Sequence, residues 1–403
     1  MTDVVTDAQP LPTIRITAFD PPTRLSELRE QQPLSRLRFA DGHVGWLVTN
    51  YTMARELLAD QRLSAQPKWR RPLIVRPGED KPNVPLPPPG IFVLTDPPEH
   101  TRFLRLLTGQ FSVRRIKQLE PKIAQIIEEH LDAMLHAGPP ADLVQSFALP
   151  IPSLVICELL GVPDADHARF QHDSAAILSF NATLEETTAA LQAIRDLMVE
   201  LVARKRIEPD EALISGLIAT GELTDEEIVG VSSLLLIAGH ESPANMLALG
   251  TFALLSNPDQ LAALRADPSL ITGAIEELLR YLTVVQFNIV RGALEDIELN
   301  GQLIKAGESV CISLPAANRD PTRFTEPDTL DLRRSTSGHL AFGHGSHQCI
   351  GQQLARIEMR LGYSALLRRI PTLRLAVESK DVPMQENTVS YGMCELPITW
   401  DVR

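Results

Sequence analysis

The sequence predicts a mainly α protein with a small β subdomain. Three observations lead there. Nine segments, 97–110, 116–136, 146–160, 164–180, 185–206, 223–255, 257–265, 268–282 and 352–369, carry apolar residues at helical spacing. Strand-like patterns are confined mainly to 35–65, 286–312 and 372–403. No repeat and no linker separates the helices, so residues 1–403 read as one domain. With 44% hydrophobic and 22% charged residues, a chain of 403 residues has ample core.

Taken in order, Thr23 to Gln31 is a short helix with Thr23 as its candidate N-cap. Ser35 to Thr49 reads as a hairpin: Leu37 and Phe39, a turn at Asp41-Gly42, then Val44, Trp46 and Val48 in alternation. Asn50 is the candidate cap of the helix that follows. Eight prolines between Pro67 and Pro89 exclude regular structure there. A long irregular segment inside a compact protein reads as a surface excursion or as a lid over a pocket. Asp96-Pro97-Pro98-Glu99 reads as a capping box with proline in the first turn.

Composition removes several function classes. A net charge of -13 argues against nucleic acid and anionic membrane as partners. Cys157, Cys311, Cys349 and Cys394 are widely separated and form no CxxC pair, so neither a disulfide framework nor a zinc ribbon is expected. The segment Met1-Thr2-Asp3-Val4-Val5-Thr6-Asp7 has acids and no apolar core, unlike a signal peptide. No apolar run approaches the ~18 residues of a membrane span. A reduced, cytoplasmic protein is expected.

The densest information lies in Phe342-Gly343-His344-Gly345-Ser346-His347-Gln348-Cys349-Ile350-Gly351, followed by a helical pattern. Cys349 could be a small buried hydrophobe, or a zinc ligand with His344 and His347. It could also be a thiolate favoured by a helix N-terminus, fit to bind haem iron axially. The glycines form neither GxGxxG nor a phosphate loop, since no Lys-Ser/Thr follows. The stretch resembles the haem-binding loop of the cytochrome P-450 family, Phe-Gly-x-Gly-x-His/Arg-x-Cys-x-Gly. That resemblance implies the family's triangular helical domain and a haem b cofactor. It implies Cys349 as the iron ligand in a loop shaped by Phe342, Gly343 and Gly351. It also implies that the proline-rich segment covers the distal pocket.

A second stretch, Ala238-Gly239-His240-Glu241-Ser242-Pro243, interrupts the apolar run Ser232 to Leu249. An acid followed by a hydroxyl in a buried helix is costly unless used; a kinked helix with satisfied polar groups is the other reading. The segment resembles the family's Ala-Gly-x-Asp/Glu-Thr motif. This implies that Ala238 and Gly239 lie against the haem, and that Glu241 and Ser242 are the catalytic pair delivering protons for dioxygen activation. The chain departs from the motif twice. Serine replaces threonine and loses β-branching. Pro243 cannot donate to the Gly239 carbonyl and is expected to hold the helix open there.

Glu277 and Arg280 share a helix face at i, i+3 and match the family's Glu-x-x-Arg, with Arg333 as candidate third partner. For the haem propionates the resemblance implies His100, Arg291 and His347. The family's arginine eight residues after Asp96 is replaced by Leu104, with Arg105 one position and roughly 100° away. Arg105, Arg114, Arg115 and Lys117 read as a solvated helix face or a basic face for an acidic ferredoxin. Matched positions make Leu234, Ile237, Ala238, Val285, Phe287, Ile289, Thr388 and Val389 candidate substrate contacts.

The resemblance covers nearly the whole chain. It implies a soluble bacterial-type monooxygenase inserting one atom of O2 into a C–H bond of a bulky, largely apolar molecule. A macrolide, sterol, statin-like compound or other polyketide or xenobiotic would fit. Electrons would come from NAD(P)H through a separate ferredoxin reductase and ferredoxin, the latter docking on the proximal face. A monomer is expected. The alternatives are a peroxygenase on the same fold, a subfamily lacking the acid–alcohol pair, and a non-catalytic haem gas sensor.

Overall fold

The computed structural model describes residues 8–74, 86–179, 181–286, 289–385 and 388–402. Helices dominate it. In chain order they are α1 (Thr23–Gln31), α2 (Tyr51–Ala59), α3 (Glu99–Gln110), α4 (Val113–Ala137), α5 (Pro150–Leu160), α6 (His167–Leu178) and α7 (Leu184–Ile207). There follow α8 (Leu213–Thr220), α9 (Asp225–Ala238), α10 (Glu241–Ser256), α11 (Pro258–Ala266), α12 (Ile271–Leu282), α13 (Leu314–Ala317) and α14 (Gln352–Arg369).

Local chemistry sets most boundaries. Asn50 caps α2, accepting from the Met53 amide at 3.1 Å. Ser112 caps α4 and starts it at Val113, ahead of the apolar pattern beginning at 116. Thr183 with Glu186, and Thr224 with Glu227, form capping boxes on α7 and α9. Two caps differ from expectation. Thr23 is the first residue of α1 and makes no cap bond. Asp96 does not cap α3; its carboxylate accepts from Ser64 Oγ, the Ala65 amide and Gln66 Nε2 at 2.5, 2.8 and 3.0 Å. Three converging donors on one charge outweigh a single helix amide. Helix α8, where no helix was expected, is short and buries Leu213, Ile214 and Leu217.

A six-stranded sheet runs in the order Gln9–Pro10, Leu34–Arg38, Val44–Val48, Ser309–Ile312, Val290–Ala293, Leu63–Ser64. Its hairpin pairs Arg36 with Trp46, and Trp46 pairs in parallel with Val310. The turn is closed by Gly42 at φ 85° and by the Asp41 carboxylate accepting from the His43 amide. One-sided alternation does not hold in Val44–Val48: Leu47 is as buried as Trp46 and Val48. The strand is central, with α1 leucines packed on one face and α2 residues on the other. A small sheet, Arg374–Leu375, Pro397–Thr399 and Ala141–Asp142, ties the C-terminal residues to the helical body.

The largest core cluster runs through the helices, with α10 in its midst. Every residue from Ala244 to Leu254 is buried, the pattern of a helix enclosed on all sides. Against it lies α14. The Tyr363 hydroxyl donates to the Met246 carbonyl, and a Cβ at Gly250 would collide with that hydroxyl. A Cβ at Gly362 would press on Leu247, less severely.

The segment 223–255, expected as one helix, is two. α9 ends at Ala238, Gly239 and His240 stand between, and α10 begins at Glu241. Pro243 therefore sits in the first turn of a new helix, where a missing amide costs nothing. The proline-rich segment is described on either side of 75–85, with a 3-10 turn at Pro67–Trp69; residues 75–85 of the lid expected there lie outside the described residues.

Candidate active site

The Cys349 loop is built on backbone demands. Gly343 and Gly345 adopt φ of 71° and 76°, the left-handed region. Any Cβ at Gly345 would also press on the Leu58 carbonyl at the end of α2. The Cys349 amide donates to the Phe342 carbonyl at 2.9 Å, closing the loop. Cys349 then stands just before α14. Burial pushes its thiol up, opposed by the Gly351 and Gln352 amides and by the Arg356 charge. The residue nonetheless has accessible surface, because it faces a cavity. His344 and His347 do not join it as ligands: no three His, Cys, Asp or Glu side chains converge as a metal-ion site among the described residues.

Four basic groups gather beside this loop: His100 from α3, Arg291 from the central sheet, His347 from the loop, and Arg70. The imidazoles of His100 and His347 lie 4.1 Å apart, and neither Nδ1 has a hydrogen-bond partner. Burial lowers all four, Arg70 to about 10 and His347 to about 3. Arg291 adds to the lowering of Arg70, and Arg291, His100 and Arg70 to that of His347. The carboxylate acting against this repulsion on His100 and Arg291 is Asp96, already bonded to Ser64, Ala65 and Gln66. A buried basic cluster with unsatisfied donors fits a ligand bringing two carboxylates, as haem does. Arg70 was missed in the sequence. Its place follows from tertiary packing, because Gly292 lets the preceding Trp69 carbonyl approach the sheet. Leu104 lines the cavity, while Arg105 turns away to pair with Glu222.

At the break between α9 and α10, a Cβ at Gly239 would crowd Ile156 and the Leu235 carbonyl, so glycine lets α5 pack close. His240 is buried, edge-on to Phe170, and burial lowers it to about 4. Burial raises the neighbouring Glu241 carboxyl to about 7. Ser242 Oγ lies 3.2 Å from Ser390 Oγ, and the Ser390 hydroxyl acts on the Glu241 carboxyl, lowering it against the effect of burial.

Cys349, Ser242, His100 and His347 line one cavity of about 400 Å³. Most of its wall is apolar, including Phe92, Val93, Leu234, Ala238, Val285 and Ile289. Gly90 and Gly230 allow the segment bearing Phe92 and Val93 to cross α9 at backbone contact. Of the expected substrate contacts, Leu234, Ala238, Val285 and Ile289 line this space. Ile237, Thr388 and Val389 do not. Thr388 is buried in the C-terminal turn, where its hydroxyl donates to the Ser390 carbonyl. Phe287 lies outside the described residues.

Behind the loop, Arg280 Nε and Nη2 donate to Glu277 at 2.7 and 2.8 Å, both residues fully buried. Arg280 Nη1 also reaches the Asn318 and Pro327 carbonyls. The third partner is Arg334, 3.0 Å from Glu277, not Arg333. Arg333 is exposed, and its amide bonds Asp331, whose own amide donates to Glu277. That turn aims residue 334 inward. Nearby, Arg356 and His339 hydrogen-bond Glu276, holding its carboxyl at about 2 despite burial, and Arg356 lies over Phe342. The expected basic face is partly used up, since Arg105 pairs with Glu222 and Arg115 bonds the Glu211 carbonyl. Lys117, Arg356 and Arg360 line a groove between α4, α12 and α14.

The family model described as Cytochrome P450 matches residues 168–401. "Cytochrome P450 105C1" of Streptomyces sp is 48% identical over 96% of this chain and 97% of its own length. "Vitamin D3 dihydroxylase" of Streptomyces griseolus is 42% identical over 99% and 98%. The solved structure of CYP105P1 in complex with filipin I superposes with a TM-score of 0.93 at 41% identity, covering 98% of this chain and all of that one.

Proposed function

The chain belongs to the cytochrome P450 family of monooxygenases, and from that premise we propose that it hydroxylates a bulky, largely apolar small molecule with electrons from a separate ferredoxin. The observation carrying this reading is that the Cys349 thiol and the Ser242 hydroxyl, with Glu241 next to it in the chain, share one mostly apolar cavity. Cys349 would hold the iron; His100, Arg291, His347 and Arg70 would hold the propionates. The bound haem supplies dioxygen activation, in which one oxygen atom enters a C–H bond and the other leaves as water, consuming two electrons and two protons. The chain's own residues do the rest. The apolar wall binds and orients the substrate and excludes water. Glu241, partly exposed and with its carboxyl raised by burial to about 7, stores a proton, and Ser242 presents a hydroxyl at the cavity wall.

A sterol- or macrolide-sized substrate is supported by the relatives' names and by the cavity's apolar lining. The ferredoxin reading is supported by Lys117 on a groove on the α14 side, where Arg356 and Arg360 are already paired with Glu276 and Glu120 of the same groove. The test is the reduced CO spectrum of the parent, Cys349→Ser and Cys157→Ser. A red-shifted thiolate band should appear in the parent and in Cys157→Ser and vanish in Cys349→Ser. A band that survives in Cys349→Ser overturns the assignment.

A further inference from the structure

The Ser242 hydroxyl is held from outside its own helix. Serine lacks the γ-methyl that would restrict χ1 in a threonine, so packing alone leaves its rotamer loose. Among the described residues its hydrogen-bond partner is Ser390, 148 positions later. Ser390 is 3% exposed, and its hydroxyl also acts on the neighbouring Glu241 carboxyl, lowering it.

The position of Ser390 is fixed on two sides. Toward α12, Ser390 bridges Val285, and the Tyr391 amide donates to the Val284 carbonyl at 2.7 Å. Toward α10, the Gly392 backbone lies so close to the Asn245 side chain that a Cβ would collide with it. Asn245 is one turn after Ser242. A hydroxyl set so firmly beside both members of the pair exceeds what anchoring the C-terminal turn requires, since the backbone bonds already do that.

We propose that Ser390 is a positioning residue of the acid–alcohol pair, fixing the Ser242 rotamer by its hydrogen bond and serving as the step between Glu241 and Ser242 in a proton relay. The relay conserves protons at every atom. The Glu241 O–H breaks as its proton passes to Ser390 Oγ, the Ser390 proton passes to Ser242 Oγ, and the Ser242 proton leaves into the cavity. Water at the solvent side of Glu241 restores the first proton. Ser390 takes the place that the threonine methyl holds in the family motif. Burial and Ser390 are the influences acting on Glu241 among the described residues; the adjacent His240 is kept neutral by burial.

This inference rests on the monooxygenase reading, and its test separates the two. In the resting ferric holoenzyme, the infrared band of the Glu241 carboxyl, identified by its loss in Glu241→Gln, is titrated with pH. The parent midpoint should lie near neutrality. Ser390→Ala should move it upward, because the removed hydroxyl stabilises the carboxylate. With ferredoxin, reductase and substrate, product per NADPH should fall about tenfold in Ser390→Ala, below the range for losing a positioned acid because water substitutes. Ser390→Thr, which keeps the hydroxyl, should restore both. The proposal is overturned if Ser390→Ala leaves midpoint and product yield unmoved, or lowers only melting temperature and substrate affinity. Failure of the monooxygenase reading looks different: the parent would lack the red-shifted CO band.

Discussion

Two buried charge clusters flank the Cys349 loop, and they are finished to different degrees. Around Glu277 every strong group is answered: Arg280 and Arg334 meet the carboxylate, the Asp331 amide adds a third donor, and Arg280 spends its remaining donors on carbonyls. Around Arg291, four basic groups gather, the carboxylate that acts on His100 and Arg291 among the described residues is already occupied, and two imidazole nitrogens are unsatisfied. A protein does not leave such repulsion inside itself without use. The closed cluster belongs to the fold, and the open one to something the fold receives.

The sharpest way to break this contrast is to open the closed cluster. Arg280→Ala leaves the Glu277 carboxylate short of its main partner and should cost about 3–5 kcal/mol of stability, measured by urea unfolding. The open cluster should behave in reverse. Arg291→Ala should leave the haem-free protein as stable or more so, because a repelling charge is gone, and Arg70→Ala is its companion for haem retention. Each should weaken haem retention roughly 10- to 150-fold, for about 1.5–3 kcal/mol per charge-assisted bond. Transfer of haem to excess apomyoglobin reports this, and Leu104→Arg should slow it. Unchanged transfer in both alanine variants would mean that the cluster holds no haem. The smallest effect sharpens the closed side: Arg334→Ala should cost about 1 kcal/mol, and Arg333→Ala should stay within about 0.5 kcal/mol. Equal effects would undo the assignment of Arg334.

These clusters also mark where the sequence could be read. The Cys349 loop was legible because glycine at Gly343 and Gly345 answers a backbone need, and such needs recur at fixed spacing. Glu277 and Arg280 were legible because a helix puts i and i+3 together. Arg334 was misassigned by one position, because an irregular turn has no period from which direction can be read. Arg70 and Ser390 could not be found that way. Each reaches the site through a long-range approach, the Trp69 carbonyl over Gly292 and the Asn245 side chain over Gly392. Pro243 signalled a disturbance in the helix but not its extent, since a kinked helix and two separate ones share the same residue pattern. The capping boxes at Thr183 and Thr224 were open to the same reading rule applied at Asp96, where a neighbouring strand claimed the side chain instead.

The contact between Tyr363 and Gly250 has a consequence for adaptability. One helix carries Glu241 and Ser242 and the other follows Cys349, and the two are fastened where a tyrosine hydroxyl takes the volume a side chain would need. Their spacing works as a fixed gauge, indifferent to the girth of the guest. Accommodation of wider or narrower molecules falls to the softer walls, the turn bearing Phe92 and Val93 and the stretch after α12 bearing Val285 and Ile289. Selection for a new substrate should therefore collect its substitutions there and leave Gly250 and Tyr363 untouched.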